Sequence, residues 1–199
     1  MQRKIAIFGG SFNPPGNHHR EIVLLLQSHF DGVIVVPCGD RPDKPTTGTI
    51  EREHRKAMAH LAFDGISPKV RVDDFDLSGT SFTPTVDLQT RYTPLGEIWH
   101  IVGSDLIHGG EHGMSDIQNY WKNGRELWRS LNFAVLLRGS EALNYKDLPP
   151  HRRLFVPGAD GASKDIRHNL ANGLPIDGLV SRAIEEYVRR NGLYQKLAA

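Results

Sequence analysis

Short apolar runs alternate with amphipathic stretches along the whole chain. Ile5-Ala6-Ile7-Phe8, Val33-Ile34-Val35-Val36, Ile98-Trp99-His100-Ile101-Val102 and Phe133-Ala134-Val135-Leu136-Leu137 are near-continuous and rich in β-branched residues. Such runs suit strands buried on both faces, as in a parallel sheet. They predict strands over about 4–8, 33–37, 97–102 and 133–137. Val70-Arg71-Val72 and residues 153–156 add two shorter ones. Between them, apolar residues recur at helical spacing. Arg20 to Phe30 carries Ile22, Leu25, Leu26 and Phe30 on one face. Residues 50–63 turn Met58, Leu61 and Ala62 inward. A helix begins near Thr85, and Glu126-Leu127-Trp128 forms a short one. The tail reads as helices over 164–172 and 179–191. The second has Leu179, Ala183, Ile184, Tyr187 and Val188 on one face, with Glu185/Arg189 and Glu186/Arg190 as i,i+4 pairs on the other. Residues 106–123 are ambiguous, because Gly109, Gly110 and Gly113 oppose one long helix.

Strand, helix, strand in alternation predicts an α/β fold with a doubly wound parallel sheet. A small helical extension follows from about residue 160. The 199 residues suit a single domain. Ligands of such sheets sit at the carboxyl ends of the strands. The loops 9–19, 37–44, 103–105 and 138–140 fall there.

The first of these loops carries the most chemistry. Gly9-Gly10-Ser11-Phe12-Asn13-Pro14-Pro15-Gly16-Asn17-His18-His19 joins a strand to a helix. The paired glycines allow a tight turn and close approach of a ligand. A strand, a glycine turn and a helix N-terminus together aim N–H groups at an anion. His18 and His19 stand at the mouth of that helix. The loop is neither a Walker loop, since no Lys-Ser/Thr follows, nor a G-x-G-x-x-G turn.

Charge localises this site. With 24 basic and 23 acidic residues the net charge is +1, so bulk attraction to nucleic acid or anionic membrane is not expected. No apolar run approaches the roughly 20 residues of a membrane span. The single Cys38 excludes an intrachain disulfide and fits a reducing, cytoplasmic setting; it reads as a small residue at a strand end. His108-Gly109-Gly110-Glu111-His112 matches the H-x-x-E-H zinc pattern. Two internal glycines cost that motif roughly 2 kcal/mol of helix propensity, so no protein-bound metal is expected there.

The order of motifs resembles one family, the nicotinate/nicotinamide mononucleotide adenylyltransferases. The first loop is similar to their G-G-[T/S]-F-[D/N]-P-x-H-x-G-H signature. Val36-Pro37 with Lys44, Glu53-His54-Arg55…Met58, Ser81-Phe82-Thr83, Ile101-Val102-Gly103-Ser104-Asp105, Trp121, Arg138, Gly161-Ala162-Ser163-Lys164-Asp165-Ile166-Arg167 and Leu193-Tyr194 follow in the family's order. The resemblance implies a Rossmann-like fold and joining of a pyridine mononucleotide to the AMP part of ATP, with Mg²⁺ and release of pyrophosphate. It implies His19 and Arg167 as catalytic residues. It implies ATP or phosphate contacts from Gly9, Gly10, Ser11, Phe12, His18, His19, Gly103, Asp105, Ser163, Lys164 and Arg167. Lys44, Thr83, Trp121 and Arg138 fall on the mononucleotide side. Two departures stand out. H-x-G-H is Gly16-Asn17-His18-His19 here, so the side chain at 18 either crowds the adenine or supplies the missing imidazole from a neighbouring position. I-S-S-T becomes Gly161-Ala162-Ser163-Lys164, where Lys164 can meet the triphosphate as a point charge. A same-fold enzyme with another acceptor or nucleotide, and a nucleotide-binding relative without transfer, remain alternatives. Acid against amide acceptor and a homo-oligomer are left open.

Overall fold

The computed structural model of the protein describes residues 2–79, 81–137, 143–159 and 161–195. Six strands, β1 (Lys4–Gly10), β2 (Gly32–Pro37), β3 (Val70–Val72), β4 (Glu97–Gly103), β5 (Asn132–Leu136) and β6 (Arg152–Phe155), form one sheet in the order β3-β2-β1-β4-β5-β6. Every pairing is parallel. The order reverses between β1 and β4, so the crevice of a doubly wound sheet opens over their carboxyl ends. Among the described residues seven α-helices pack around it: α1 (Asn17–Gln27), α2 (Arg52–Phe63), α3 (Thr85–Tyr92), α4 (Asp116–Tyr120), α5 (Gly124–Ser130), α6 (Ser163–Ala171) and α7 (Arg182–Arg190).

The period of two along each strand divides the core. Ala6, Phe8, Val33, Val35, Trp99, Ile101, Ala134 and Leu136 face one layer, with α1, α2 and the buried Ile166, Ile184 and Val188 of the tail helices. Ile5, Ile7, Ile34, Val36 and Ile98 face the other side with Tyr92 of α3. Val102, Phe133 and Val135 complete that side with Ile117 of α4 and Leu127 and Trp128 of α5. Both faces are covered, which explains the continuous apolar runs.

Several expectations need correcting. The helix expected from Arg20 begins at Asn17, because Gly16 is already extended (φ −99°, ψ 172°) and serves as its N-cap. His18 and His19 therefore lie inside the first turn, not ahead of it. Leu61 is 43 % exposed. The buried stripe of α2 runs Arg55, Met58, Ala59, Ala62, and Leu61 lies about 120° from its centre at 100° per residue. Helix α7 starts at Arg182 behind a Ser181 cap, leaving Leu179 outside it and Ala183 exposed. Glu186 pairs with Arg182 rather than Arg190, while the Glu185–Arg189 pair forms at 2.7 Å. The ambiguous stretch resolves into two 3₁₀ turns and α4, with Gly109 and Gly113 at φ 76° and 72°. Among the described residues no helix is long and apolar enough to cross a membrane.

Candidate functional site

The paired glycines of the first loop lie just ahead of the turn expected of them. Gly9 and Gly10 are the last residues of β1, paired to Val36 and Pro37 of β2. The turn itself begins at Ser11. Phe12 takes a left-handed φ of 43° and buries its ring. That ring lies across Gly10, where a Cβ would stand 2.9 Å from Phe12 Cζ. It meets Phe8, Phe63 and His19 edge-on at 5.3, 5.1 and 5.1 Å. Phe12 is thus a core anchor by its side chain, and only its backbone can face a ligand. The strain of its φ, about 1–3 kcal/mol, is offset by that burial.

At the start of α1 the Gly16 N–H donates to His19 Nδ1 at 3.1 Å. A neutral imidazole accepting at Nδ1 carries its proton on Nε2, so this bond makes Nε2 a donor. The Asn17 amide is spent on Leu179 O at 2.8 Å. The His18 ring lies 3.9 Å from that of His19. A Cβ at Gly16 would stand 2.6 Å from His18 Cε1 and Nδ1, and one at Gly161 2.8 Å from Nδ1. The imidazole at 18 therefore fills the space a side chain at 16 would need. The two glycines form its slot.

Helix α6 closes on the same loop. Ser163 Oγ donates to Pro14 O at 2.9 Å, and Arg167 Nη1 to Asn13 O at 2.6 Å. Between them Ile166 is buried next to Gly16. Lys164 is exposed on the first turn. The first loop, His18, His19, Ser163 and Arg167 are thus brought together. Gly103 ends β4 beside them at the crevice, and Asp105 is exposed on the 3₁₀ turn that follows.

The other side is built from the loop after β2. Lys44 is exposed there. Thr83 is held by Asp76, a carboxylate only 3 % exposed. Asp76 Oδ1 accepts from Thr83 N at 2.8 Å and Thr83 Oγ1 at 2.5 Å, and Oδ2 accepts from Gly39 N at 2.7 Å. Both donors of Thr83 are therefore committed, leaving its hydroxyl oxygen as an acceptor. Trp121 is half-buried against the cluster of Val102, Ile107 and Ile117. Arg138 lies outside the described residues.

Three residues that hold these loops were not singled out as site residues from the sequence. Arg55 is wholly buried and donates to Ser11 O at 3.3 Å and Cys38 O at 2.7 Å. It also pairs with Asp40 at 3.3 Å, and its Nε finds no partner. The hydrogen bond from Arg52 holds the Asp40 carboxyl below the usual range, and Arg55 adds to this. Asp76 is the second and Asn13 the third. Each had a signal. Arg55 interrupts the apolar stripe of α2, Asp76 sits between Phe75 and Leu77, and Asn13 precedes a proline in the glycine loop. A polar residue at an apolar position marks a buried group held in place by hydrogen bonds. Burial pushes the Cys38 thiol up, which keeps it protonated and unreactive at neutral pH.

The His108–His112 motif is not on one helix. Gly109 is left-handed and residues Gly110–His112 make a single 3₁₀ turn, whose Glu111 N–H donates to Asp147 Oδ1 at 3.1 Å. Two histidines of an H-x-x-E-H site must share a helical face, and here they do not.

The site gathers cations, imidazoles and loop amides at a strand-end crevice, a set suited to transfer between bound phosphates. Comparison with known proteins identifies the family. A cytidylyltransferase-like family profile matches residues 7–169. The probable nicotinate-nucleotide adenylyltransferases of Clavibacter michiganensis subsp. michiganensis and Clavibacter sepedonicus are each 31% identical over 199 aligned residues, 96% of this chain and 94% of theirs. The one from Neisseria meningitidis serogroup C is 28% identical over 98% of this chain and all of its own. Among solved structures, Plasmodium falciparum nicotinic acid mononucleotide adenylyltransferase complexed with NaAD superposes with a TM-score of 0.77 at 26% identity, covering 96% of this chain and 97% of that one. With a matching profile over most of its length and relatives aligned end to end, the chain belongs to the nicotinate-nucleotide adenylyltransferase family within the cytidylyltransferase-like nucleotidyltransferases.

Proposed function

We propose that this protein joins nicotinate mononucleotide to the AMP part of ATP and releases pyrophosphate, the adenylyl transfer of NAD biosynthesis. The observation that carries the reading is the meeting of two distant segments. Ser163 and Arg167 of α6 bond to the backbone of the loop that leads into His18 and His19 of α1. A mononucleotide phosphate oxygen attacks the α-phosphorus of ATP, the bond from the α-phosphorus to the bridging oxygen breaks, and pyrophosphate departs. No protein nucleophile is needed, so the chain supplies position and charge.

His19 donates Nε2–H to the α-phosphate as charge moves to its oxygens, with His18 beside it. The end of β1 at Gly9 and Gly10 and the amides of the turn at Ser11 and Phe12 line the triphosphate. Lys164 and Arg167 neutralise the departing pyrophosphate, Arg167 with the guanidinium donors that its bond to Asn13 leaves over. Gly103 and Asp105 take the adenylate ribose. Trp121 stacks on the pyridine ring, and Lys44, Thr83 and Arg138 complete the mononucleotide side. ATP would enter as a complex with Mg²⁺, which would supply charge neutralisation to the triphosphate. The whole chain acts as one nucleotidyltransferase domain, and its lone cysteine fits the cytoplasm.

The test is to incubate the protein with Mg²⁺, ATP and either nicotinate or nicotinamide mononucleotide, and to measure dinucleotide and pyrophosphate. Product with the acid at a higher kcat/KM than with the amide is expected. His19→Ala should lower kcat by about a hundredfold or more, the size of losing one preorganised donor. No product from either mononucleotide refutes the substrate, and unchanged turnover in His19→Ala removes His19 from the mechanism.

A further inference from the structure

The last described turn of the chain reaches back to the first loop. Helix α7 ends in a Schellman motif: Gly192 (φ 59°) donates to Arg189 O at 3.3 Å, and Leu193 N to Val188 O at 3.0 Å. Leu193 is buried by this turn, and Tyr194, itself left-handed at φ 63°, points inward. Its hydroxyl donates to Asn13 Oδ1.

Asn13 is completely buried, and every polar atom of its side chain is used. Nδ2 donates to Thr46 O at 2.5 Å and to Thr49 Oγ1 at 3.0 Å. Oδ1 accepts from Tyr194, and the backbone carbonyl accepts from Arg167 Nη1. Four segments thus meet at one residue: the first loop, the loop after β2, α6 and the turn after α7. An aspartate here would set a second oxygen against Thr46 O, so the amide is chemically required by these partners. Buried networks of this kind fix geometry when complete and are costly when one member is lost.

We propose that Tyr194 is a positioning residue for the nucleotide loop. Through Asn13 its hydroxyl holds the Ser11–Gly16 turn and the Arg167 guanidinium in the arrangement that receives the triphosphate. Tyr194 touches no reacting atom; it acts by keeping the loop ordered before ATP arrives, so that binding does not have to order it. The proposal rests on reading this crevice as the ATP site.

The test compares the full-length protein with Tyr194→Phe, which keeps the ring and removes the donor. Amide hydrogen exchange and calorimetric binding of α,β-methylene-ATP are measured on both. The expected result is exchange about tenfold faster in the peptide covering residues 11–17, with strands β1, β4 and β5 unchanged, and a dissociation constant raised about tenfold, equal to about 1.4 kcal/mol. The mononucleotide KM should stay within about twofold, a split that a general loss of stability does not produce. In an Asn13→Ala background the same substitution should change nothing further. If Asn13→Ala does not fold, the local pattern of exchange in Tyr194→Phe decides alone. Uniformly faster exchange, or an unchanged loop with unchanged binding, overturns the proposal. Wild-type protein that binds the analogue but forms no dinucleotide overturns only the transfer reading; one that does not bind it overturns both.

Discussion

His100 offers a quantitative test of how this core is built. It lies on β4 among apolar neighbours and is only 4 % exposed. Its Nε2 is 2.8 Å from Gln89 Oε1 of α3, so the neutral ring donates to an amide oxygen. Burial pushes its pKa down from 6.5 to about 4. In the unfolded chain the ring regains its ordinary value, so between these two values the unfolded state binds the extra proton. Stability therefore rises with pH through this window, is fully present above about pH 7, and is lost as pH falls from about 6.5 towards 4. The free energy lost is RT ln[(1 + 10^(6.5 − pH))/(1 + 10^(4 − pH))], which gives about 0.8 kcal/mol at pH 6 and about 2 kcal/mol at pH 5. The figure at pH 5 depends little on the folded value, because that pH is above it. Urea unfolding of wild-type protein and His100→Phe at about pH 7.5, 6 and 5 isolates this term from the other nine histidines of the ten in the chain. The wild type should lose about 2 kcal/mol more than the variant between about pH 7.5 and 5. Parallel pH dependences would show that the ring is not buried neutral and that the packing of β4 against α3 is misread.

Asp76→Ala removes the acceptor for Thr83 and Gly39, and it should raise the mononucleotide KM about tenfold while leaving the KM for ATP within about twofold, as steady-state kinetics would show. Gly10→Ala drives a methyl into the Phe12 ring and should cost about 1–3 kcal/mol, measured as a lower urea midpoint. Gly16→Ala should be destabilising for the same reason against His18, and His18→Ala in the same chain should restore the urea midpoint without restoring turnover. Equal midpoints for Gly16→Ala in the presence and absence of the His18 ring would remove the slot.

The sheet is legible in the sequence because strands buried on both faces have no polar alternation to confuse the reading. The carboxyl-end loops follow from that topology alone. The start of α1 is less legible. Asn17 is the stronger cap residue by type, yet Gly16 takes the cap position and its N–H is bound by a histidine three residues in. Residue pairs far apart in sequence escape a linear reading altogether. Asp76 with Gly39 and Thr83, or Tyr194 with Asn13, leave only the trace of a polar residue among apolar ones. The swap of glycine and histidine between 16 and 18 looks like damage in a motif. In three dimensions it is an exchange of which residue supplies the ring and which supplies the room.

The bond from Arg167 to Asn13 spans 154 positions. It also bears on when the site forms during folding. The central strand β1 pairs on one side with β2, which is translated shortly after it, but on the other with β4, Lys4 opposite Glu97. The turn at residues 11–16 receives its closing contacts only when α6 and the chain end have emerged. A nascent chain that has made only the βαβ start still lacks the contact that closes the 11–16 turn. Long-range closure of this kind delays the ordering of the turn until α6 has been made.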